Sequence, residues 1–453
     1  MKVLKSRFTN TTTYQLRYIL LYIIIGALLI GAIVAMPILT GMRLSEAERA
    51  SALISMNYSP SLINFPYHLL QGLSIHLLGL TPLAIKLPSI VLGVVTAILL
   101  TLLLNRWFRN LAAFTSAALI VSSVAFLGLT TSGTPDILYV LFPALMLWLG
   151  SQIIDEKPRV ITVVALTITA GVSLLIPYMV YFNIGMLVLL LAHPHLRFSF
   201  KQIKPLAIVA ATAAVVAVVA PLFFLTDSFN IWALVGPSAN MAQNATNAWW
   251  QMVGFSEPLS WFALPVLALS LIGVYATILD FHIARNHTVF VLLAIVIAAS
   301  LFFPPLFTIV ILLMTILVGN GLGFLIRTWK GIFPQNIYAT LVGLVPLGAF
   351  CLLVAAGSIN FFYIAPRTIS GVHYSANTDL QLLTDNIEPG DVLLLNQDTE
   401  FYDRAFPDNY VVENTNIGAP RIISDHPLET SRRLERIVTN SSTTSSARFF
   451  IYR

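Results

Sequence analysis

Charge is what this sequence has least of. Only 10% of its 453 residues are Asp, Glu, Lys or Arg, against about 25% in a typical soluble domain. Hydrophobic residues make up 57%, and the mean hydropathy is +0.83. So little charge excludes an ordinary water-exposed globular chain. Cysteine is down to a single residue, Cys351, inside an apolar run. That excludes a disulfide framework and a thiolate metal site. No His/Asp/Glu cluster has metal-ligand spacing, so no metal is expected. No glycine pattern of the nucleotide-binding kind is present, and no internal repeat. The net charge of +5 does not point to nucleic acid, because charge in a membrane chain is partitioned by side.

What is present is a series of apolar runs of about 20 residues, the length needed to cross a hydrocarbon core of about 30 Å. Eleven candidate spans stand out: 18–39, 83–104, 111–131, 137–154, 160–176, 178–193, 206–225, 261–279, 288–303, 305–326 and 338–358. The first is too long for a signal-peptide core and lacks a small-residue cleavage site, so it reads as a retained anchor. The fifth and sixth are separated by a tight turn at Pro177 and Tyr178. Phe302-Phe303-Pro304-Pro305 breaks the chain between the ninth and tenth. The expected fold is therefore an α-helical polytopic membrane protein of about 11 spans.

Basic residues set the orientation. Alternate loops hold Lys2, Lys5 and Arg7; Arg106 and Arg109; Lys157 and Arg159; Arg197, Lys201 and Lys204; Arg285; and Arg327 and Lys330. The opposite short loops hold Arg43, Arg49 and Lys86. The positive-inside rule puts the first set, and the N-terminus, in the cytoplasm. Eleven spans then put the C-terminal part outside. A multi-pass protein of a plasma membrane, a bacterial inner membrane by preference, is expected.

The expected domains are a membrane domain, 1–359, and a small extracytoplasmic α/β C-terminal segment, 360–453. The membrane domain carries a first outer loop, 40–81, and a second, 226–260, whose Trp249-Trp250 pair suits an interfacial belt. The C-terminal segment holds 12 of the 20 acidic residues. Asp379–Ile387 reads as a short helix, Val392–Leu395 as a buried strand, "LETSRRLERIV" (Leu428–Val438) as a helix and "ARFFIYR" as a final strand. Together they predict a cap docked on the membrane part.

The first outer loop is unusually charged, with Arg43, Glu46, Glu48 and Arg49 in a row. Ser45-x-x-Glu48 matches a capping box, which predicts a helix running to about Met56. Glu46 and Arg49, three apart, fit a surface pair on that helix. Leu69, Leu73 and Leu77 recur at helical spacing and predict a second helix lying along the membrane. His68 and His76 fit polar tips at the interface. Lys86, at the outer end of the second span, fits either snorkelling or contact with a lipid phosphate. After the third span, "TSGTPDIL" puts Asp136 at the mouth of the fourth. There it is either a functional acid or, with Thr134, a helix cap.

These segments, "PYHLLQGLSIHLLGLTPLAIKLPSIVLG" after the charged loop and then "TSGTPDIL", resemble the GT-C superfamily of membrane glycosyltransferases. The resemblance spans roughly residues 18 to 150 and is nearest the branch of protein O-mannosyltransferases and lipid A aminoarabinose transferases. It implies transfer of a sugar from a polyprenyl-phosphate donor to a glycan, lipid or protein acceptor at the outer face, with inversion. The lipid-linked sugar is then a substrate and no cofactor is called for. The family's Asp-Glu pair in the first loop falls on Ser45 and Glu46, so Glu46 is the candidate catalytic base. Its second acidic position falls on Asp136. Lys86, with Arg43, is the candidate phosphate-binding group. The family's "Glu-Lys-Pro" falls on Asn64-Phe65-Pro66, so that acid and that lysine are missing. With Ser45 in place of an acid, three readings stand. Glu46 has taken over the role, the acceptor needs less activation, or the chain binds a lipid-linked sugar or scaffolds partners without turnover. A transporter of lipid-linked intermediates is the remaining alternative. It is disfavoured because the ionisable groups fall at span ends.

Overall fold

The computed structural model describes residues 26–27, 30–31, 33–35, 44–56, 62–108, 110–153, 160–192, 264–332, 337–368, 380–395, 399–412, 421–428, 432–439 and 448–453, with isolated helical positions from 205 to 216. Most of the first span, nearly all of the seventh, the whole second outer loop, and Arg43 lie outside the described residues, as does the Glu46 side chain.

The chain is mostly helical. Two helices form the described part of the first outer loop, α1 (Glu46–Met56) and α2 (Phe65–Leu78). The membrane part follows with α3 (Pro82–Trp107), α4 (Asn110–Val121), α5 (Val124–Thr131), α6 (Leu138–Ile153), α7 (Val160–Ser173) and α8 (Met179–Ala192). It continues through α9 (Leu264–Leu279), α10 (Ala284–Phe302), α11 (Val310–Ile332) and α12 (Ile337–Thr368). Five helices among the described residues are long and apolar enough to cross a bilayer. The expected third span is not one rod: α4 and α5 meet at a 61° bend. Ser122 and Ser123 cause it. Their hydroxyls donate to the carbonyls of Leu119 and Ile120, and Ser123 Oγ accepts from the Phe126 N–H to start a new helix. A serine pair is a recognised cause of a sharp kink.

The centre of the bundle is α11, buried almost without interruption from Val310 to Leu322. Gly273 of α9 and Gly321 of α11 allow backbone-to-backbone approach. A Cβ on Gly273 would collide with the Leu317 carbonyl, and one on Gly321 with the Leu269 carbonyl. Small residues at such crossings, with polar groups as glue, are how helices associate without a hydrophobic drive between them. Here the polar group is Asn320, which donates to Thr277 Oγ1 at 2.8 Å.

The Pro177-Tyr178 turn is tight, as expected, and puts Tyr178 in the left-handed region (φ 62°), which is rare for a bulky residue. The Tyr178 and Tyr181 rings both stack on Phe303. The Phe303-Pro304 break is also present, as a 3₁₀ segment (Pro304–Ile309) ahead of α11.

The C-terminal domain holds α13 (Leu380–Thr384), α14 (Thr399–Ala405) and a five-stranded sheet: β1 (Val392–Leu394), β2 (Tyr410–Val412), β3 (Ile422–Ser424), β4 (Leu434–Thr439) and β5 (Arg448–Tyr452). The order is β2-β1-β3-β5-β4. β1 pairs in parallel with β2 and β3, while β5 runs antiparallel to β3 and β4. Alternation divides the faces. Leu393, Ile423 and Ile451 pack with α13 and α14, while Val392, Ile422 and Tyr452 build a second cluster opposite. The helix expected over Leu428–Val438 is corrected: this segment carries β4, an edge strand. A register shift between Leu434 and Arg436 interrupts the pairing, so the period-2 pattern was broken in the sequence. Its Glu435 and Arg436 suit an edge that should not recruit another chain.

The cap is docked on the first loop through a shared core. Leu44, Ala52, Ile75, Ala84 and Ile85 from the membrane part pack against Leu380, Leu383, Leu393, Phe401, Tyr402 and Ile423 from the C-terminal domain. The first outer loop and the cap therefore lie on one side of the membrane part.

Candidate functional site

The capping box forms as the spacing predicts. Ser45 Oγ accepts from the Glu48 N–H at 3.3 Å, and Glu48 Oε2 accepts from the Ser45 N–H at 2.6 Å. The carboxylate does more than cap. Its other oxygen, Oε1, accepts from the Gly133 N–H at 2.6 Å and sits 3.3 Å from Lys86 Nζ. Glu48 is 3% exposed and Lys86 2%, so Lys86 does not snorkel. It forms a buried ion pair near the start of α3, and Glu48 ties together α1, α3 and the segment between α5 and α6.

Glycine at 133 follows from this geometry. A Cβ there would lie 2.9 Å from Ile85 Cγ2, 3.3 Å from the Ile85 carbonyl oxygen and 3.4 Å from Glu48 Cγ. The rest of "TSGTPDIL" makes a compact turn. Asp136 lies in a 3₁₀ segment, Pro135–Ile137, half-buried. Thr134 Oγ1 sits 2.8 Å from Asp136 Oδ2 and 3.1 Å from Ser132 Oγ.

α2 forms the adjoining wall. Leu69, Leu73 and Leu77 are exposed along one face, as the leucine spacing predicts. The other face is a polar ladder. Gln71 donates to the carbonyls of Ile85 and Gly133, both at 3.0 Å, and accepts from Ser51 and Ser55. Ser74 Oγ donates to the Ala84 carbonyl at 2.7 Å. That carbonyl needs a donor because Pro88, four residues on, has no N–H to give it. Tyr67 bonds Ser89 at 2.8 Å, and Ser89 bonds the Thr134 carbonyl at 3.3 Å. Burial pushes the Tyr67 phenol up, with Glu48 and Asp136 adding to the effect. The helix opens on Asn64 in the left-handed region (φ 55°), a conformation Asn tolerates, and its N–H reaches the Leu175 carbonyl.

The two histidines part company. His76 is exposed, as an interfacial tip would be. His68 is buried instead, with Nδ1 2.9 Å from Ser55 Oγ. Desolvation lowers its pKa to about 4, with the Gln71 hydrogen bond partly opposing. His68 is thus neutral at physiological pH.

Arg49 is 1% exposed, so it is not a surface partner for Glu46. Its Nη1 reaches Tyr402 Oη of α14 at 3.4 Å. Among the four sequence-proposed site residues, Lys86 and Asp136 are brought to one end of the bundle under the cap. Glu46 is the first residue of α1, so its backbone is two residues ahead of Glu48. Among the described residues no cluster of three or more His, Cys, Asp or Glu suited to a metal is present. The Ser45-x-x-Glu48 spacing by itself assigns Glu48 a helix cap only. It gives no role to Gln71, Ser89 or Gly133, whose polar side chains and glycine next to the acid-bearing motif are the signal available.

Residues 65–224 match the family model described as dolichyl-phosphate-mannose-protein mannosyltransferase. No curated protein matches the chain significantly. Among solved structures, ArnT from Cupriavidus metallidurans in the apo state is similar, with a TM-score of 0.64 at 11% identity, covering 97% of this chain and 98% of that one. The same protein bound to undecaprenyl phosphate gives 0.61 at 12% identity, covering 96% and 97%. With that likeness running end to end, the chain has the fold of ArnT, and its residues 65–224, from α2 through the site to the later spans, are similar to the dolichyl-phosphate-mannose-protein mannosyltransferase family.

Proposed function

We propose that this protein transfers a sugar from a polyprenyl-phosphate donor to an acceptor at the extracytoplasmic face of a plasma membrane. The observation that carries the reading is the dry Lys86–Glu48 pair beside Asp136, at the seam between first loop, spans and cap. Its setting supports it, since an ArnT of the same fold is described as bound to undecaprenyl phosphate. The distribution of Lys and Arg among the loops supports an orientation with the N-terminus in the cytoplasm and the cap outside.

In this mechanism Glu46 is the general base. The acceptor hydroxyl comes within about 2.6–3.2 Å of its carboxylate. The hydroxyl oxygen attacks the anomeric carbon, its proton passes to Glu46, and the bond from that carbon to the phosphate oxygen breaks, inverting the centre. Polyprenyl phosphate leaves with the bonding pair. Lys86, fixed by Glu48, balances the charge of the leaving phosphate as a point cation, with Arg43 the weaker candidate for that role. Asp136 orients the acceptor. The donor is consumed as substrate, and the chemistry asks for no cofactor or metal.

A second reading is favoured by Ser45, which stands where the family carries an acid and uses its hydroxyl as a cap. Under that reading the chain holds a lipid-linked sugar without transferring it. Mass spectrometry of envelope glycans and lipid-linked sugars separates the two, in parent, deletion, and deletion complemented with Glu46→Gln. For a transferase using Glu46, the deletion loses one sugar from a glycan and accumulates its polyprenyl-phosphate donor, and Glu46→Gln does not rescue it. Full rescue by Glu46→Gln refutes the base assignment. An unchanged glycan profile in the deletion supports the binding reading.

A further inference from the structure

Lys86 lies near the start of α3 and Arg106 in its last turn, about 30 Å apart at 1.5 Å per residue. The far end of the bundle, remote from the cap, carries two adjoining cavities that the transfer chemistry does not use. One, of about 840 Å³, lies between α3, α6, α7, α8 and α10. The other, of about 610 Å³, lies between α3, α4, α10 and α11. Trp107 and Arg285 line both. Arg285 stands in the shared wall, with its guanidinium 4.7 Å from the Phe108 ring centre and donating to the Trp107 carbonyl. Arg106 lines the larger cavity and Arg327 and Lys330 the smaller. Four basic side chains thus converge on these two cavities, and one of them, Arg327, lies 3.6 Å from Asp280. The remaining wall of the larger cavity is mainly apolar, with Met146, Leu147, Leu166 and Met186 among its residues. Leu187, also in that wall, is 54% exposed, which opens it toward the hydrocarbon.

We propose that this end of the protein is a binding site for an anionic phospholipid of the leaflet opposite the cap. Its phosphate sits at Arg285, flanked by Arg106, Arg327 and Lys330, and one acyl chain runs along the apolar wall past Leu187. Charge chooses the occupant. A zwitterionic headgroup brings its own cation into a site that already holds four, and a free phosphate makes no use of the apolar wall. Basic pockets between membrane helices on the cytoplasmic side suit anionic headgroups.

The test uses the full chain purified in neutral detergent. Native mass spectrometry follows retention of phosphatidylglycerol, with phosphatidylcholine of the same chains and inorganic phosphate as separate arms. Phosphatidylglycerol should be retained in preference to phosphatidylcholine, and millimolar inorganic phosphate should not displace it. Arg327→Gln with Lys330→Gln, both at exposed positions, should weaken retention about fivefold per charge. Gly150→Leu is an independent check. Gly150 lines the larger cavity, and a Cβ there meets nothing within 4 Å. The added side chain should obstruct the acyl chain while all four cations remain, lowering retention. Equal retention of the two lipids, displacement by inorganic phosphate, or wild-type retention in both variants overturns the proposal.

Discussion

Glu48→Gln is the substitution that tests the site most directly. It keeps the side chain's shape and removes one charge. In the native site the two carboxylate oxygens face three donors: the Ser45 N–H, the Gly133 N–H and the Lys86 ammonium. A glutamine offers one oxygen and turns an NH₂ donor toward the rest. At least one buried N–H then loses its acceptor, worth about 1–3 kcal/mol. Removing one member of a buried ion pair costs about 3–5 kcal/mol. The two figures overlap, because the same oxygens serve both roles. The charge part also has a ceiling, since neutralising a lysine at pH 7 from a reference pKa near 10.4 costs about 5 kcal/mol. The expected loss is about 3–5 kcal/mol. The assay is SDS titration in mixed micelles, followed by tryptophan fluorescence, on wild type, Glu48→Gln, Lys86→Met and the double variant. Each single variant should lose several kcal/mol, while the double variant should lose clearly less than their sum, with a coupling of about 2 kcal/mol or more. A Glu48→Gln protein within about 1 kcal/mol of wild type, or a double variant at the simple sum, refutes the reasoning.

Other consequences are open to the same measurements. Gly133→Ala puts a methyl 2.9 Å from Ile85 Cγ2 and should lose about 1–3 kcal/mol by overpacking; wild-type stability would show that the segment shifts freely. His68 has its pKa lowered by burial to about 4, so as pH falls below about 6.5 the unfolded chain takes up a proton that the folded chain refuses. His68 should therefore leave stability unaffected above pH 6.5 and lower it on the way to pH 4, by up to about 3 kcal/mol. His68→Gln should flatten the slope between pH 6.5 and 5, and an unchanged slope would assign it to other groups. Gly273→Ala drives a methyl into the Leu317 carbonyl and should abolish the monodisperse size-exclusion peak. Gly348→Ala, where a Cβ meets nothing within 4 Å, should leave that peak intact, and similar profiles for the two would remove the argument for the α9–α11 crossing.

The membrane part was legible in the sequence because a bilayer imposes a length on every crossing. Runs such as 83–104 and 338–358 meet it, and the helices Pro82–Trp107 and Ile337–Thr368 contain them. The bend in 111–131 was not legible, because two serines in an apolar run satisfy a hydropathy pattern as well straight as bent. Only their bonds to Leu119 and Ile120 reveal the break. In the cap, β5 was readable from the dense aromatic and β-branched residues of Arg448–Tyr452. β4 was not, because the irregularity at Glu435 shifts the alternation, leaving charges at spacings that suit a helix.

The site shows the same division between local and tertiary information, within a single side chain. Ser45 and Glu48 are three residues apart, so their mutual capping was predictable from spacing. That cap occupies Glu48 Oε2 and fixes the direction of Oε1. What Oε1 meets, Gly133 and Lys86, comes from segments 85 and 38 residues away. Likewise Arg49, one residue on, turns to Tyr402, which is 353 residues away. A helix start at Ser45 therefore sets the aim of two buried side chains, one into the bundle and one into the cap. The Ser45 hydroxyl is spent on the Glu48 N–H, so the serine serves the helix start, and the family's acid at that position has no counterpart in it. Under the proposed transfer the base in this loop is Glu46, whose backbone the same cap holds in the first turn of α1, with Lys86 and Asp136 on the segments that Glu48 draws together.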